Sequence, residues 1–91
     1  MIRSCRDKET WKLWNRLPSK KFRAIEKAAR IKLELLDSAA TVQDLTLPGL
    51  RLEKLRGDRK GQHSIRINGQ YRICFKWADD GAKDVEIADY H

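Results

Sequence analysis

Only two cysteines, Cys5 and Cys74, occur in 91 residues, far apart, with no C-x-x-C spacing and only two histidines beside them. That scarcity argues against a disulfide framework and against a structural zinc site, and both thiols read as small buried hydrophobes in strands. The five glycines (Gly49, Gly57, Gly61, Gly69, Gly81) form neither G-x-G-x-x-G nor G-x-x-x-x-G-K, so nucleoside triphosphate chemistry has no support and no cofactor is expected. No uninterrupted apolar run exceeds three residues, against the roughly 20 that a spanning helix needs. No apolar stretch follows the early charges of Met-Ile-Arg-Ser-Cys-Arg-Asp-Lys, so no secretory signal is read and a cytoplasmic protein is expected.

What is abundant is positive charge. Lys and Arg number 20 against 13 acids, for a net charge of +7, which points to a polyanionic partner. Eleven of those cations, against five acids, fall in residues 1–40. A chain this short forms one domain, here residues 1–91, with a small core and marginal stability.

The first half reads as helical. Residues 2–5 suggest a short opening strand. Asp7 is placed to cap a helix running through Trp11, Trp14 and Leu17 to a stop at Pro18. Ser19 caps a second helix in which Phe22, Ile25, Ala29, Leu33 and Leu36 recur at steps of three and four, with Lys20, Lys27, Arg30 and Glu34 turned to water. Thr41 and Asp44 suggest a capped turn, closed by Leu47-Pro48-Gly49. After Gly49 the period becomes 2, predicting strands over residues 50–55, 62–67, 70–77 and 83–90. Asn68-Gly69 is a type I′ hairpin signal and Asp80-Gly81 a second turn, so the strands should form a meander.

Strand parity sorts the side chains into two faces. Ile65, Ile67, Tyr71, Ile73, Phe75, Trp77, Val85 and Ile87 form the apolar face that the helices cover, with His63 packed beside them. Arg66, Arg72, Cys74, Lys76 and Glu86 lie on the other face, expected to be an open basic surface. The predicted fold class is α+β: a short N-terminal strand and two helices packed on one face of a mainly antiparallel four- to five-stranded sheet.

Three groups are more specific: Arg56-Gly57-Asp58-Arg59, Tyr71-Arg72-Ile73 and the terminal Asp89-Tyr90-His91. With Leu47-Pro48-Gly49, Leu52-x-x-Leu55, Gly61 and Ser64-Ile65-x-Ile67-Asn68 in this order, the chain resembles the HigB toxins of the RelE/ParE superfamily over essentially its whole length. The resemblance implies a RelE-like fold and a ribosome-dependent, metal-free endoribonuclease that cuts translated mRNA in the ribosomal A site. It also implies a HigA-type helix-turn-helix antitoxin, and operator DNA bound through the toxin-antitoxin complex. Two alternatives remain: a ParE-like inhibitor of DNA gyrase on the same scaffold, and a non-catalytic basic RNA-binding module.

Metal-free RNA cleavage of the kind implied needs the phosphate anchored and protons moved. Arg56 and Arg72 are expected to hold the scissile phosphate as guanidinium forks. His91 is expected to exchange protons near neutral pH, with Tyr90 sharing that duty and Asp89 orienting either one. Glu53 stands where the family pattern has a histidine and reads as a paired carboxylate on a solvated strand or, with its pKa raised, as a general base. Arg56 replaces a frequent family lysine, which keeps phosphate binding but removes a proton-transfer role. Arg59 reads as a solvated turn residue.

Overall fold

The alternation that starts after Gly49 becomes an antiparallel sheet in the computed structural model, which describes residues 1–79 and 81–90. Asp80 of the second predicted turn and the candidate His91 lie outside the described residues. Helix α1 spans Lys8–Trp14 and α2 spans Glu26–Ser38, followed by strands β1 (Glu53–Lys54), β2 (Gln62–Arg66), β3 (Tyr71–Ala78) and β4 (Gly81–Asp89). The sheet order is β1-β2-β3-β4 with every neighbouring pair antiparallel, as a meander requires.

Local chemistry accounts for most boundaries. Asp7 Oδ2 accepts the Thr10 N–H at 3.0 Å, capping α1 as its position predicts. The helix stops at Trp14 rather than Leu17, because Arg16 turns into the left-handed region at φ 60°. Ser19 Oγ accepts from Phe22 N–H at 3.4 Å, but a 3-10 turn over Arg23–Ile25 precedes α2. Asp44 Oδ2 accepts the N–H groups of Ala40 (2.8 Å) and Thr41 (3.0 Å), fixing the expected turn. Pro48 and Gly49 (φ 87°) complete a turn closed from Leu50 N–H to Leu47 carbonyl at 3.2 Å.

The opening strand is realised as a strip laid parallel to the edge of β4, bridging Ile2 to Ala82 and Cys5 to Val85. Where that strip ends, Thr10 Oγ1 of α1 accepts the buried Ile87 N–H at 3.1 Å, so the edge of β4 stays covered. A bulge between positions 74 and 76 of β3 sets two residues of β4 against one, with Asp84 at φ 51°. This extra residue keeps Ala82, Val85 and Ile87 all on the helix side, where they are buried. The core between helices and sheet holds Leu13, Phe22, Ala29, Leu33, Leu36, Ile65, Ile73, Phe75 and Val85, the stripe and strand face predicted from period 3.6 and period 2. Each such large side chain contributes about 1.5–3 kcal/mol by leaving water.

Four expectations are corrected. The β2–β3 hairpin forms, but Asn68 and Gly69 lack positive φ; instead Asn68 Oδ1 accepts the N–H groups of Gln70 and Tyr71, both at 2.8 Å, an Asx turn in place of type I′. Arg30 does not face water: it lies in the helix seam, donating to Leu13 carbonyl at 3.2 Å and pairing with Glu26 at 2.6 Å. The strand predicted over residues 50–55 shrinks to Glu53–Lys54, because Arg51 at φ 46° breaks the extended backbone. Finally, the helix-free face is not an open basic surface. Ser64 and Cys74 are fully buried there, and Arg72 nearly so.

Candidate functional site

The helix-free face has a buried floor of small side chains. Ser64 of β2 lies opposite Cys74 of β3, and Ala88 of β4 lies opposite Arg72. Leu55 and Tyr90 pack against Cys74 and Ala88 to make a second, minor apolar cluster. Large polar groups surround this floor because strand parity sends Arg72, Glu86 and Tyr90 to the same side.

Arg72 is held from several directions. Its Nε donates to Ser64 Oγ at 2.7 Å, and Nη2 donates to Ser64 carbonyl at 3.3 Å and to Arg51 carbonyl. Nη1 lies 3.9 Å from Glu53 Oε1. The left-handed turn at Arg51 that shortens β1 therefore also aims a carbonyl at the guanidinium. A buried cation needs such partners, and here backbone and hydroxyl oxygens supply most of them.

Tyr90 packs against Cys74 on this face. Burial together with the nearby thiol pushes the phenol above its ordinary value. Burial likewise raises the Cys74 thiol. Tyr90 is thus kept protonated, a hydrogen-bond donor rather than a base. The backbone N–H of Tyr90 donates to Gln70 carbonyl at 2.6 Å, which ties Tyr90 to the β2–β3 turn.

Arg59 is more than a solvated turn residue. From the 3-10 turn Gly57–Arg59 it reaches across the sheet, and Nη1 donates to Gln62 Oε1 at 3.1 Å and to Glu86 Oε1 at 2.9 Å. The bond to Glu86 raises its already high pKa, and its charge acts on both Cys74 and Tyr90. Arg6 approaches the same carboxylate at 3.8 Å. The sequence signal that could have found this contact is parity, which sets Glu86 opposite Cys74 on the face that the 57–59 turn overhangs.

Of the five predicted site residues, Arg72 and Tyr90 come together around Cys74. Arg56 is exposed on the neighbouring loop, lining a depression of about 350 Å³ with Lys54, Leu55, Gly57, Lys60 and Gly61. Asp89 alternates to the opposite face from Tyr90, where its Oδ2 accepts from Gln70 Nε2 at 3.1 Å. His63 packs in the apolar layer as parity implies, stacked 6.0 Å from Phe75, and burial lowers its pKa. Among the described residues, no three His, Cys, Asp or Glu side chains group as metal ligands would, and no helix is long and apolar enough to cross a membrane.

The architecture matches solved structures of the YoeB–YefM complex from Staphylococcus aureus, with a TM-score of 0.63 at 19% identity, covering 100% of this chain and 98% of that one. Two helices packed on one face of a four-stranded antiparallel sheet define a small α+β protein of the RelE-like fold. A family model described as the RelE-like toxin of type II toxin-antitoxin system HigB matches residues 8–91, and the chain belongs to that family. It is 51% identical over 65 residues to Toxin HigB-1 of Vibrio cholerae serotype O1, covering 70% of this chain and 68% of that protein. Over 60 residues it is 32% identical to Endoribonuclease HigB of Proteus vulgaris, covering 66% and 65% of the two chains.

Proposed function

We propose that this chain is the toxin of a type II toxin-antitoxin pair and acts as an endoribonuclease on translated mRNA. The observation that carries the reading is the gathering of Arg72, Arg59 and Tyr90 about Cys74 and its strand neighbours Ser64 and Glu86 on the helix-free face. The named activity of the Proteus vulgaris relative supports it.

In the proposed reaction the ribose 2′-oxygen loses its proton and attacks the adjacent phosphorus. The bond to the 5′-oxygen breaks and that oxygen takes a proton, leaving a 2′,3′-cyclic phosphate and a 5′-hydroxyl. Arg72 and Arg56 supply positive charge to the phosphoryl oxygens as their charge grows. Tyr90, held protonated, donates toward the reacting oxygens. His91 exchanges the proton at the 2′-oxygen, so side chains do the proton transfer and no metal is called for. Asp89 acts as a positioning residue, since its bond to Gln70 anchors the strand end that carries Tyr90 and His91. So few groups suffice when the ribosomal A site aligns the message. This activity places the toxin in the cytoplasm, neutralised by a helix-turn-helix antitoxin of HigA type through which the pair binds operator DNA.

Mapping mRNA 5′ ends in cells expressing the chain, with Tyr90→Phe as control, tests the reading. Codon-linked cuts that vanish in the variant are expected. Growth arrest with intact mRNA and broken or relaxed DNA would overturn it in favour of gyrase poisoning.

A further inference from the structure

The guanidinium groups of Arg72 and Arg59 on the helix-free face differ in how much of each the protein itself consumes. Arg72 spends Nε and Nη2 on Ser64 and Arg51, has Glu53 beside Nη1, and its side chain is only 10% exposed. Arg59, among the described residues, makes both of its side-chain hydrogen bonds from Nη1 alone, and its side chain is 28% exposed. A guanidinium has five N–H donors in a rigid fork, so the Nε–Nη2 edge of Arg59, the edge that grips an oxyanion with two parallel bonds, carries three donors with no acceptor among the described residues.

The surroundings favour an anion on that edge. Glu86 serves both Arg59 and Arg6, so one carboxylate faces two cations, and Arg72 adds its field across Cys74. Gln62 and Glu86 pin one nitrogen from two different strands, which fixes the direction of the fork before any ligand arrives. A fork fixed in advance loses little freedom on binding.

We infer that Arg59 is a further RNA-binding residue, gripping a backbone phosphate through its free Nε–Nη2 edge, with Gln62 and Glu86 as its positioning residues. This rests on the ribonuclease reading and adds a phosphate contact to it. Arg72, held on Ser64 and Arg51, keeps its role at the scissile phosphate, and the RNA chain crosses from Tyr90 toward the 57–59 turn.

The test measures binding of a short 2′-O-methylated single-stranded oligoribonucleotide to the full chain over a range of salt concentrations, for the wild type, Arg59→Gln, Arg59→Lys and Glu86→Gln. Arg59→Gln should weaken binding on the order of tenfold at low salt and make the slope of log affinity against log salt shallower by about 0.7, one phosphate contact on a single strand. Arg59→Lys should restore the slope but not the affinity, because it returns the charge without the fork. Glu86→Gln should keep the wild-type slope while weakening binding, since the fork remains charged but loses its anchor. Cleavage of mRNA on programmed ribosomes by Arg59→Gln should need more substrate for half-saturation while the limiting rate changes little. Unchanged affinity and slope in both Arg59 variants, with wild-type cleavage intact, would overturn the inference alone. Absence of wild-type cleavage would instead count against the ribonuclease reading. Should Arg59→Gln fail to fold, the lysine variant decides: wild-type affinity there overturns the inference.

Discussion

Ser64 Oγ, fully buried on β2, accepts the Nε–H of Arg72 at 2.7 Å from one strand away. The same serine offers its carbonyl to Nη2 of the same side chain, so one residue holds two sides of the guanidinium. A hydroxyl at that position is therefore part of how a cation is kept nearly buried on this face.

Ser64→Ala should leave a buried charged donor without its acceptor and cost about 1–3 kcal/mol of stability. Urea denaturation of the variant measures this directly. Stability equal to the wild type would show that Arg72 finds an equivalent partner. RNA cleavage should fall with the stability, because the guanidinium is no longer fixed.

Tyr90→Phe removes a hydroxyl but keeps the ring against Leu55 and Ala88, so folding should change by no more than about 1 kcal/mol while cleavage slows on the order of a hundredfold. Because the phenol is pushed above its ordinary value of 10, the contribution of Tyr90 should persist through neutral pH and decline only in alkali. A rate that falls through pH 7 to 9 in the wild type but not in the variant would contradict a protonated Tyr90.

His63 makes stability pH-dependent. Its folded pKa lies below the ordinary 6.5 through burial and the charge of Lys54, so the unfolded chain binds the proton more readily. The contribution is full above about 6.5 and is lost as pH falls from there through the depressed folded value. His63→Phe, which keeps a ring on Phe75, should flatten this acid limb in denaturation curves taken from about pH 5 to 8. An unaltered limb would assign it to other groups.

Gly81 is the one glycine whose missing side chain makes room for another segment. A Cβ there would meet the Met1 carbonyl oxygen at 2.7 Å and Arg3 Cγ at 2.8 Å. Gly81→Ala should push the N-terminal strip off β4 and cost about 1–3 kcal/mol. Hydrogen exchange should speed up at the amides of Arg3 and Ala82, which otherwise bond across this edge, while Ile65 and Ile73 in the sheet centre stay protected. Uniform protection in the variant would mean that the strip adjusts without leaving.

Much of this arrangement could be read along the chain because it depends on near neighbours. The Asp7 cap, the stripe from Phe22 to Leu36 and the alternation through Ile73, Phe75 and Trp77 each need only a local period or a side chain reaching three residues on. The hairpin at Asn68 was legible as a hairpin but not as an Asx turn, since the same asparagine suits both and the flanking strands choose between them. The bulge at Asp84 leaves no such mark.

Composition and period thus determined, unaided, a basic α+β domain with two helices on one sheet face and Arg66 and Arg72 on the other. Which guanidinium is buried and which keeps an open edge was decided only by the fold. That choice depends on the Arg51 carbonyl turning toward Arg72 and on Glu86 meeting Arg59 from 27 residues away. Side-chain type fixes a charge, but solvent access and the direction of a fork come from atoms that chain order keeps apart and packing brings together.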